Sequence, residues 1–167
     1  ISNPLALNLY VLGYNINGNL TPLNQALKEN LRTYLTNFRM LTDAINIKAA
    51  HIVNIGIEFD VIPKPNFNSN EVILKCIDRL KTLMHIDRMQ INSVIDKSKL
   101  IAELDRVTGV QSVPSIKIIN KFTAGYSENV YDIETATKNN QIYPSLDPMI
   151  FEIKYPDTDI KGRVIKP

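Results

Sequence analysis

The chain has 167 residues, of which 44% are hydrophobic and 22% are charged, and its formal net charge is +2. This length suits one domain with a real core, with or without an extension, and the interspersed charges argue against a nucleic-acid or membrane footprint. A single cysteine, Cys76, rules out an internal disulfide, and we expect neither a membrane span nor a signal peptide, because no long apolar run or charged leader occurs.

The N-terminal residues 1–20 are predicted to form a strand or arm, followed by a helix. In residues 5–12 one face is apolar, as expected for a short strand. Asn17-Gly18-Asn19 is a turn signal. Thr21 as N-cap and Pro22 at the first helical position then predict a helix that runs to about Asn37. Leu41 to Ile47 is predicted to be a short strand or bend.

The strongest pattern runs from Ile52 to Ile62, where apolar and polar residues alternate. Side chains on a strand point alternately to opposite faces, so this pattern predicts a long strand with one solvated face. The apolar face would be covered by helices, and Pro63 would end the strand. The inward row is Val53, Ile55, Ile57, Phe59 and Val61, and the polar row is Asn54, Gly56, Glu58 and Asp60.

Two more helices are predicted downstream, near 69–86 and 97–108. Asn68 followed by Glu71 resembles a capping box, Asp96 or Ser98 caps the next helix, and Gly109 suits a left-handed position at its end. A short strand or extended connection at 89–95 and a strand at 113–119 would alternate with these helices. The middle of the chain therefore predicts a β-α-β-α-β order with some parallel pairing.

The C-terminal residues 124–167 are predicted to be a β extension. A strand is predicted near 126–134, alternation returns at 149–155, a turn follows at 156–159, and 160–165 would close a hairpin. The predicted fold class is thus α+β: a mixed sheet with three helices, divided into an arm (1–20), a core domain (21–123) and this extension (124–167).

No catalytic, cofactor or metal site is predicted. His51 and His85 lack partners at ligand spacing, and Asp157-x-Asp159 lacks the remaining oxygens and glycine of a calcium loop. Glu58 and Asp60 are expected on a solvated strand face. The alternative is a small α+β ligand-binding or enzymatic module with an unrecognised pocket, in which these two carboxylates and the two histidines would be the acids and bases.

Three segments together resemble a known family: Tyr34–Asp43 leading into the long strand, Gly109–Val113, and Ile150–Arg163. They are similar to the C-terminal part of the baseplate wedge protein of T-even-type contractile phages, in the baseplate J-like family. The resemblance implies a virion structural protein of the phage tail baseplate, made in the host cytoplasm and without enzymatic activity or cofactor. Because the chain opens at Ile1 and in mid-pattern, we expect it to be a piece of a longer wedge subunit.

The same resemblance implies that the protein acts through contacts. Its partners would be itself, as a homodimer or larger ring joining wedges around the tail hub, and other baseplate wedge and hub proteins, with no nucleic acid and no membrane. Tyrosines outside the helices and an arginine among aliphatic residues suit interfaces. The predicted contact residues are Tyr10, Tyr14, Phe151, Ile153, Tyr155, Ile160, Arg163 and Ile165. The alternative for Phe151 and Ile153 is packing within the domain's own core.

Overall fold

The computed structural model describes residues 6–38, 44–145 and 147–167. The α+β fold class is confirmed: helices combine with both parallel and antiparallel strand pairs. The chain divides into two compact units, Ile1–His51 and Ile52–Pro167. The boundaries predicted after residues 20 and 123 differ from this division, because strands beyond each predicted boundary pair with strands before it.

The N-terminal unit is built on a parallel pair of strands. Strand β1 (Ala6–Tyr10) pairs with β4 (Ala44–Lys48), and a small antiparallel pair, β2 (Gly13–Tyr14) and β3 (Leu20–Thr21), lies between them in sequence. Gly18 adopts a φ of 78° in the turn between β2 and β3, as its turn signal predicts. Residues 1–5 of the predicted arm and Leu41–Asp43 of the predicted strand or bend lie outside the described residues.

The helix of this unit, α1 (Gln25–Thr36), begins later than predicted. Asn24 is the N-cap, and its side-chain oxygen accepts a hydrogen bond from the Leu27 N–H at 2.9 Å. The predicted cap, Thr21, lies in β3 instead, where it pairs with Gly13 of β2. Asparagine is at least as good a cap as threonine, so once strand pairing occupies Thr21 the helix starts at the next competent residue.

The C-terminal unit is organised around the long predicted strand, β5 (His51–Pro63). Strand β7 (Val110–Lys121) runs antiparallel to β5, and β11 (Ile160–Val164) pairs in parallel with Ile57–Val61 on the opposite edge. Strand β10 (Met149–Glu152) also pairs with β5. The predicted inward row is confirmed, since all five of its side chains are buried in the core.

Two helices cover this inward face. Helix α2 (Ser69–Leu83) packs against β11, and α3 (Lys97–Asp105) packs against β7. Both predicted caps are confirmed: the Asn68 side chain accepts from the Asn70 and Glu71 N–H groups, and Asp96 accepts from the Lys99 N–H. The helices end before the predicted residues 86 and 108, and a 3-10 helix (Ile86–Arg88) follows α2.

Gly109 has the positive φ that was predicted, at 93°, but it lies beyond the end of α3, immediately before β7. A methyl group on this residue would lie 2.7 Å from the Phe67 ring and 2.8 Å from the Val72 side chain. Glycine is therefore required here both by the backbone conformation and by the close packing of α2 and the loop before it.

The segments between these elements differ from the prediction. Of residues 89–95, predicted to be a short strand or an extended connection, only Ile95 belongs to a strand, β6 (Ile95–Asp96). Strand β6 joins a separate small sheet with β8 (Thr137–Lys138) and β9 (Gln141–Ile142). Asn139 and Asn140 both have positive φ and make the tight turn of the β8–β9 hairpin. Residues 126–132 form bends and coil rather than a strand, and they are followed by the one-turn helix α4 (Ile133–Ala136).

The predicted C-terminal hairpin is wrong. Strands β10 and β11 are joined by the one-turn helix α5 (Pro156–Asp159), and each pairs with β5 instead of with the other. The thirteen residues of β5 offer an edge long enough for more than one short strand. The parallel pairing predicted among the strands of the middle segment is wrong for β5 and β7, which are antiparallel. The parallel partner of β5 is the C-terminal strand β11.

Candidate functional site

The predicted C-terminal contact row is largely part of the core. Phe151 and Ile160 are buried, and Ile153 is partly buried against the same cluster. The Phe151 ring meets the Tyr131 ring edge-on at 5.8 Å between centroids. All four residues of β10 are buried, so the alternation there does not create a solvated face. Phe151 and Ile160 are therefore corrected from contact residues to core residues.

The remaining predicted C-terminal residues stay at the surface but have partners within the chain. Tyr155 donates its hydroxyl to the Gly125 carbonyl at 3.0 Å and stacks edge-on with the Tyr126 ring at 5.4 Å. The Lys154 ammonium lies 5.5 Å from the Tyr155 ring centroid. Ile165 is half-buried, and its N–H donates to the Val61 carbonyl. These contacts hold the C-terminal segment on its own sheet.

Arg163 forms a bidentate ion pair with Asp60. Its Nε and Nη2 atoms lie 2.9 Å and 3.1 Å from the two carboxylate oxygens, and the Ser115 hydroxyl donates to the same carboxylate at 3.0 Å. The Arg163 guanidinium, followed by the Ser115 hydroxyl, holds the pKa of Asp60 below its usual range. A carboxylate stabilised in its charged form is poorly suited to exchange protons near neutral pH.

A shallow groove of about 310 Å³ lies on the outward face of the β7–β5–β11 sheet. Carboxylates on the central strand are flanked by cations on its neighbours: Glu58 is in register with Lys117 on β7 and with Lys161 on β11. The two histidines of the ligand-binding alternative are not among the residues that line this groove. The groove is lined by Glu58, Phe59, Asp60, Ser115, Lys117, Lys161, Gly162 and Arg163.

Asn54, predicted to be solvated, is instead buried in a polar network. Its side-chain amide donates to Glu152 at 2.9 Å, and its side-chain oxygen accepts from the Ser127 N–H at 2.7 Å. The loop of residues 122–132 covers this end of the outward face, because Ser127 and Asn129 also donate to the Ile52 carbonyl. Periodicity places Asn54 on the outward face but carries no information about the distant loop that covers it.

Asp159 is a second buried carboxylate on this face. Tyr126 donates its hydroxyl to Asp159 Oδ1 at 2.6 Å, and no partner is found for Oδ2 among the described residues. The bond to Asp159, with burial, raises the pKa of Tyr126 to about 12. Gly56 makes room for this arrangement, since a methyl group there would lie 3.0 Å from the Asp159 carbonyl oxygen. The network fixes α5 against β5.

The remaining groups that could carry chemistry are clusters of metal-ligating side chains and the single thiol. No group of three or more histidine, cysteine, aspartate or glutamate side chains there could hold a metal ion. Cys76 is buried, and burial raises its pKa to about 11, so the thiol stays protonated and packs as a small apolar group. Across residues 6–38, 44–145 and 147–167, no helix is long and apolar enough to cross a membrane.

No protein-family model and no curated protein matches the chain. The choice among the surfaces described above therefore rests on their geometry.

The described part of the N-terminal unit exposes several large apolar side chains and buries few residues. Of its described residues, only Ile47 and Ala50 are buried, and α1 has no buried residue at all. Two of the predicted contact residues belong to this unit: Tyr14 is exposed in β2, and Tyr10 is half-buried at the end of β1. The exposed large apolar residues of this unit are Leu7, Tyr14, Ile16, Leu27, Tyr34 and Phe38.

The exposed side chains of α1 were missed as contact residues, although their signal was present. Apolar residues recur along this helix at helical spacing and form a stripe wide enough to pack on a sheet. In the structure α1 contacts β4 of its own unit, but Leu27, Tyr34 and Phe38 remain exposed. A two-stranded sheet is too small to cover the whole stripe.

Proposed function

We propose that this chain is a structural subunit of the baseplate of a contractile-tailed phage, which self-associates to join wedges into a ring around the tail hub. Its partners would be further copies of itself and other baseplate wedge and hub proteins, and its location would be the virion. The resemblance of the three quoted segments supports the family, and the incompletely buried N-terminal unit supports action through contacts. The protein would work by binding, without catalysis or a cofactor.

The observation that carries the proposal is the contrast between the two units. The C-terminal unit buries a continuous apolar core between β5 and its helices. The C-terminal unit also exposes large apolar side chains, but it has this core beneath them. The described part of the N-terminal unit buries only Ile47 and Ala50, and its strands form two separate two-stranded sheets, one of them parallel. Parallel sheets are normally covered on both faces, and a pair of strands is marginal alone in water. Contacts in an assembly would supply the missing burial.

The experiment that tests the proposal is the solution mass of the whole chain, measured by light scattering from micromolar to millimolar concentration. One chain has a mass of 18.9 kDa, and we expect the mean mass to rise toward that of a dimer or larger species with concentration. A mass that stays at the monomer value throughout would contradict self-association as the function.

The charged groove on the β7–β5–β11 sheet keeps a second candidate open, a small-ligand-binding module. Its carboxylates and cations would suit a zwitterionic molecule, and free amino acids are a suitable probe. Binding would shift the backbone amide resonances of Glu58–Asp60, which line the groove, and would leave those of α1 unchanged. An absence of such shifts at millimolar amino acid would remove this candidate.

A further inference from the structure

Helix α1 carries an apolar seam with the spacing of a coiled coil. Leu27, Leu31, Tyr34 and Phe38 are 4, 3 and 4 residues apart, which is the alternating spacing of positions d and a in a heptad. We call these four residues the α1 seam. Phe38 continues the seam past the helix end, because its N–H donates to the Leu35 carbonyl and its ring lies 5.1 Å from the Tyr34 ring.

Three of the four side chains of the α1 seam are exposed. Leu27 is 51% exposed, Tyr34 62% and Phe38 72%, while Leu31 is half-buried. Hydrophobic side chains at this spacing are normally inserted between the side chains of a facing helix. The exposed side chains leave this face of α1 accessible to a helix of another chain.

We propose that the α1 seam packs antiparallel against the α1 seam of a second copy of this chain. The inference rests on the proposed function, for which it names the contacting surface. A twofold axis would place Leu27 opposite the partner's Phe38 and Leu31 opposite the partner's Tyr34. A contact of this kind is isologous, so one stripe on one sequence is sufficient to form both halves of it.

The charges of α1 suit pairing with an identical helix. The positions that flank the seam are Lys28, Asn30, Leu35 and Asn37, and only the first is charged. In an antiparallel pair, Lys28 would lie near the partner's Leu35, where its aliphatic stem can pack without facing a like charge. On the opposite side of the helix, Glu29 already accepts from Gln25 at 2.7 Å and pairs with Arg32 at 3.2 Å. No charge on α1 therefore requires a partner of opposite sign.

The antiparallel direction follows from the sizes of the seam side chains. A parallel pair would place Phe38 against the partner's Phe38 and Leu27 against the partner's Leu27, which crowds one end and leaves the other open. The antiparallel pair has four layers of facing side chains, and each layer places an aromatic ring against a leucine. It also places the two helix dipoles in opposite directions, which is the favourable arrangement for neighbouring helices.

The exposed area predicts a weak contact. An aromatic side chain offers about 200 Å², so the exposed fractions of Tyr34 and Phe38, 62% and 72%, leave roughly 270 Å² on each copy. Two copies would bury roughly 540 Å² from these rings, compared with at least about 1,200 Å² in a stable interface. We therefore expect a pair that dissociates on dilution and is stabilised where several copies are held together.

The test is sedimentation of the whole chain across a concentration series, with charges introduced on either side of α1. Tyr34→Glu combined with Phe38→Glu should raise the dissociation constant about tenfold or more, because it places charges in the seam. Thr33→Glu combined with Thr36→Glu is the matched control on the exposed, opposite side, and it should leave association unchanged. Circular dichroism establishes that both variants fold.

The outcomes separate this inference from the function on which it rests. If the parent chain associates and the seam variant associates equally well, α1 is not the contact, although self-association stands. If the parent chain remains monomeric at every concentration, both proposals fail. If the control weakens association as much as the seam variant does, the effect is one of charge and the seam assignment is wrong.

Disulfide trapping tests the direction of the pair. Copies carrying Leu31→Cys are mixed with copies carrying Tyr34→Cys under oxidising conditions, and Cys76 does not compete because it is buried. We expect covalent dimers in the mixture and few in either preparation alone, because the antiparallel layers place position 31 opposite position 34. Covalent dimers that form equally well in each separate preparation would overturn the antiparallel arrangement.

Discussion

Replacing Phe151 with alanine separates a core role from a contact role for the C-terminal segment. The side chain is 1% exposed and lies edge-on to the Tyr131 ring. Its removal forfeits both the transfer free energy of the ring and the packing around the cavity that is left. Substitutions of buried phenylalanine by alanine cost about 3–5 kcal/mol, and the loss of an aromatic pair places this one toward the upper half of that range.

The assay is urea unfolding of the whole chain, followed by far-UV circular dichroism at a concentration where the parent chain is monomeric. The urea concentration at the midpoint of unfolding should fall. The slope of the unfolding free energy against urea concentration should change little, since the same surface is exposed on unfolding. Phe122→Ala is the matched control: Phe122 belongs to the same unit but is 48% exposed, so its replacement should cost about 1 kcal/mol or less.

A loss below about 1 kcal/mol for Phe151→Ala, equal to that of the control, would refute the core assignment. Truncation after Asp147 extends the same test, because it removes β10 and β11 together and exposes an edge of β5. We expect the C-terminal unit of the truncated chain to lose its cooperative unfolding transition. A truncated chain that unfolds cooperatively but no longer self-associates would show instead that the segment serves contacts.

Two further predictions concern single residues. Gly109→Ala should destabilise the chain by about 1–3 kcal/mol, because alanine would have to adopt a positive φ and its methyl group would lie within 3.0 Å of two side chains. Chemical denaturation would measure this loss. Gly18→Ala is the control that isolates the cost of the backbone conformation, because the space around Gly18 is open. Tyr126 has its pKa raised to about 12 by Asp159, so the folded state holds this proton more tightly than the unfolded state, with its ordinary value near 10. The resulting stability is fully present below about pH 10 and is lost as the pH rises through about 12; denaturation at several alkaline pH values should show a smaller loss for Tyr126→Phe, and an equal loss in both chains would contradict the assignment.

The elements that could be predicted from the sequence are those with a local cause. Strand β5 follows from alternation over its own residues, and the caps Asn68 and Asp96 act on N–H groups within three residues. Each of these signals is complete within a short window. The positive φ of Gly109 is likewise a local requirement for the turn into β7.

The errors arise where a distant segment decides the outcome. Asn54 lies on the outward face of β5, as the alternation predicts. It is nevertheless buried, because the loop that contains Ser127, 73 residues away in sequence, covers it. Strands β10 and β11 are adjacent in sequence and suggest a hairpin, but main-chain pairing with β5 is available to each. Phe151 belongs to a strand that is covered on both faces, and alternation within the strand cannot show that.

These corrections shift the expected contact surface from the end of the chain to its beginning. In the C-terminal unit, β10 and β11 are held by pairing with β5, by the core side chains Phe151 and Ile160, and by the bond between Tyr126 and Asp159. A segment so bound within its own chain has little apolar surface left for a partner. The N-terminal unit has the opposite balance, with strands and a helix that are formed but incompletely covered. The proposed self-association needs both properties: a unit whose fold does not depend on its neighbours, and a surface whose burial does.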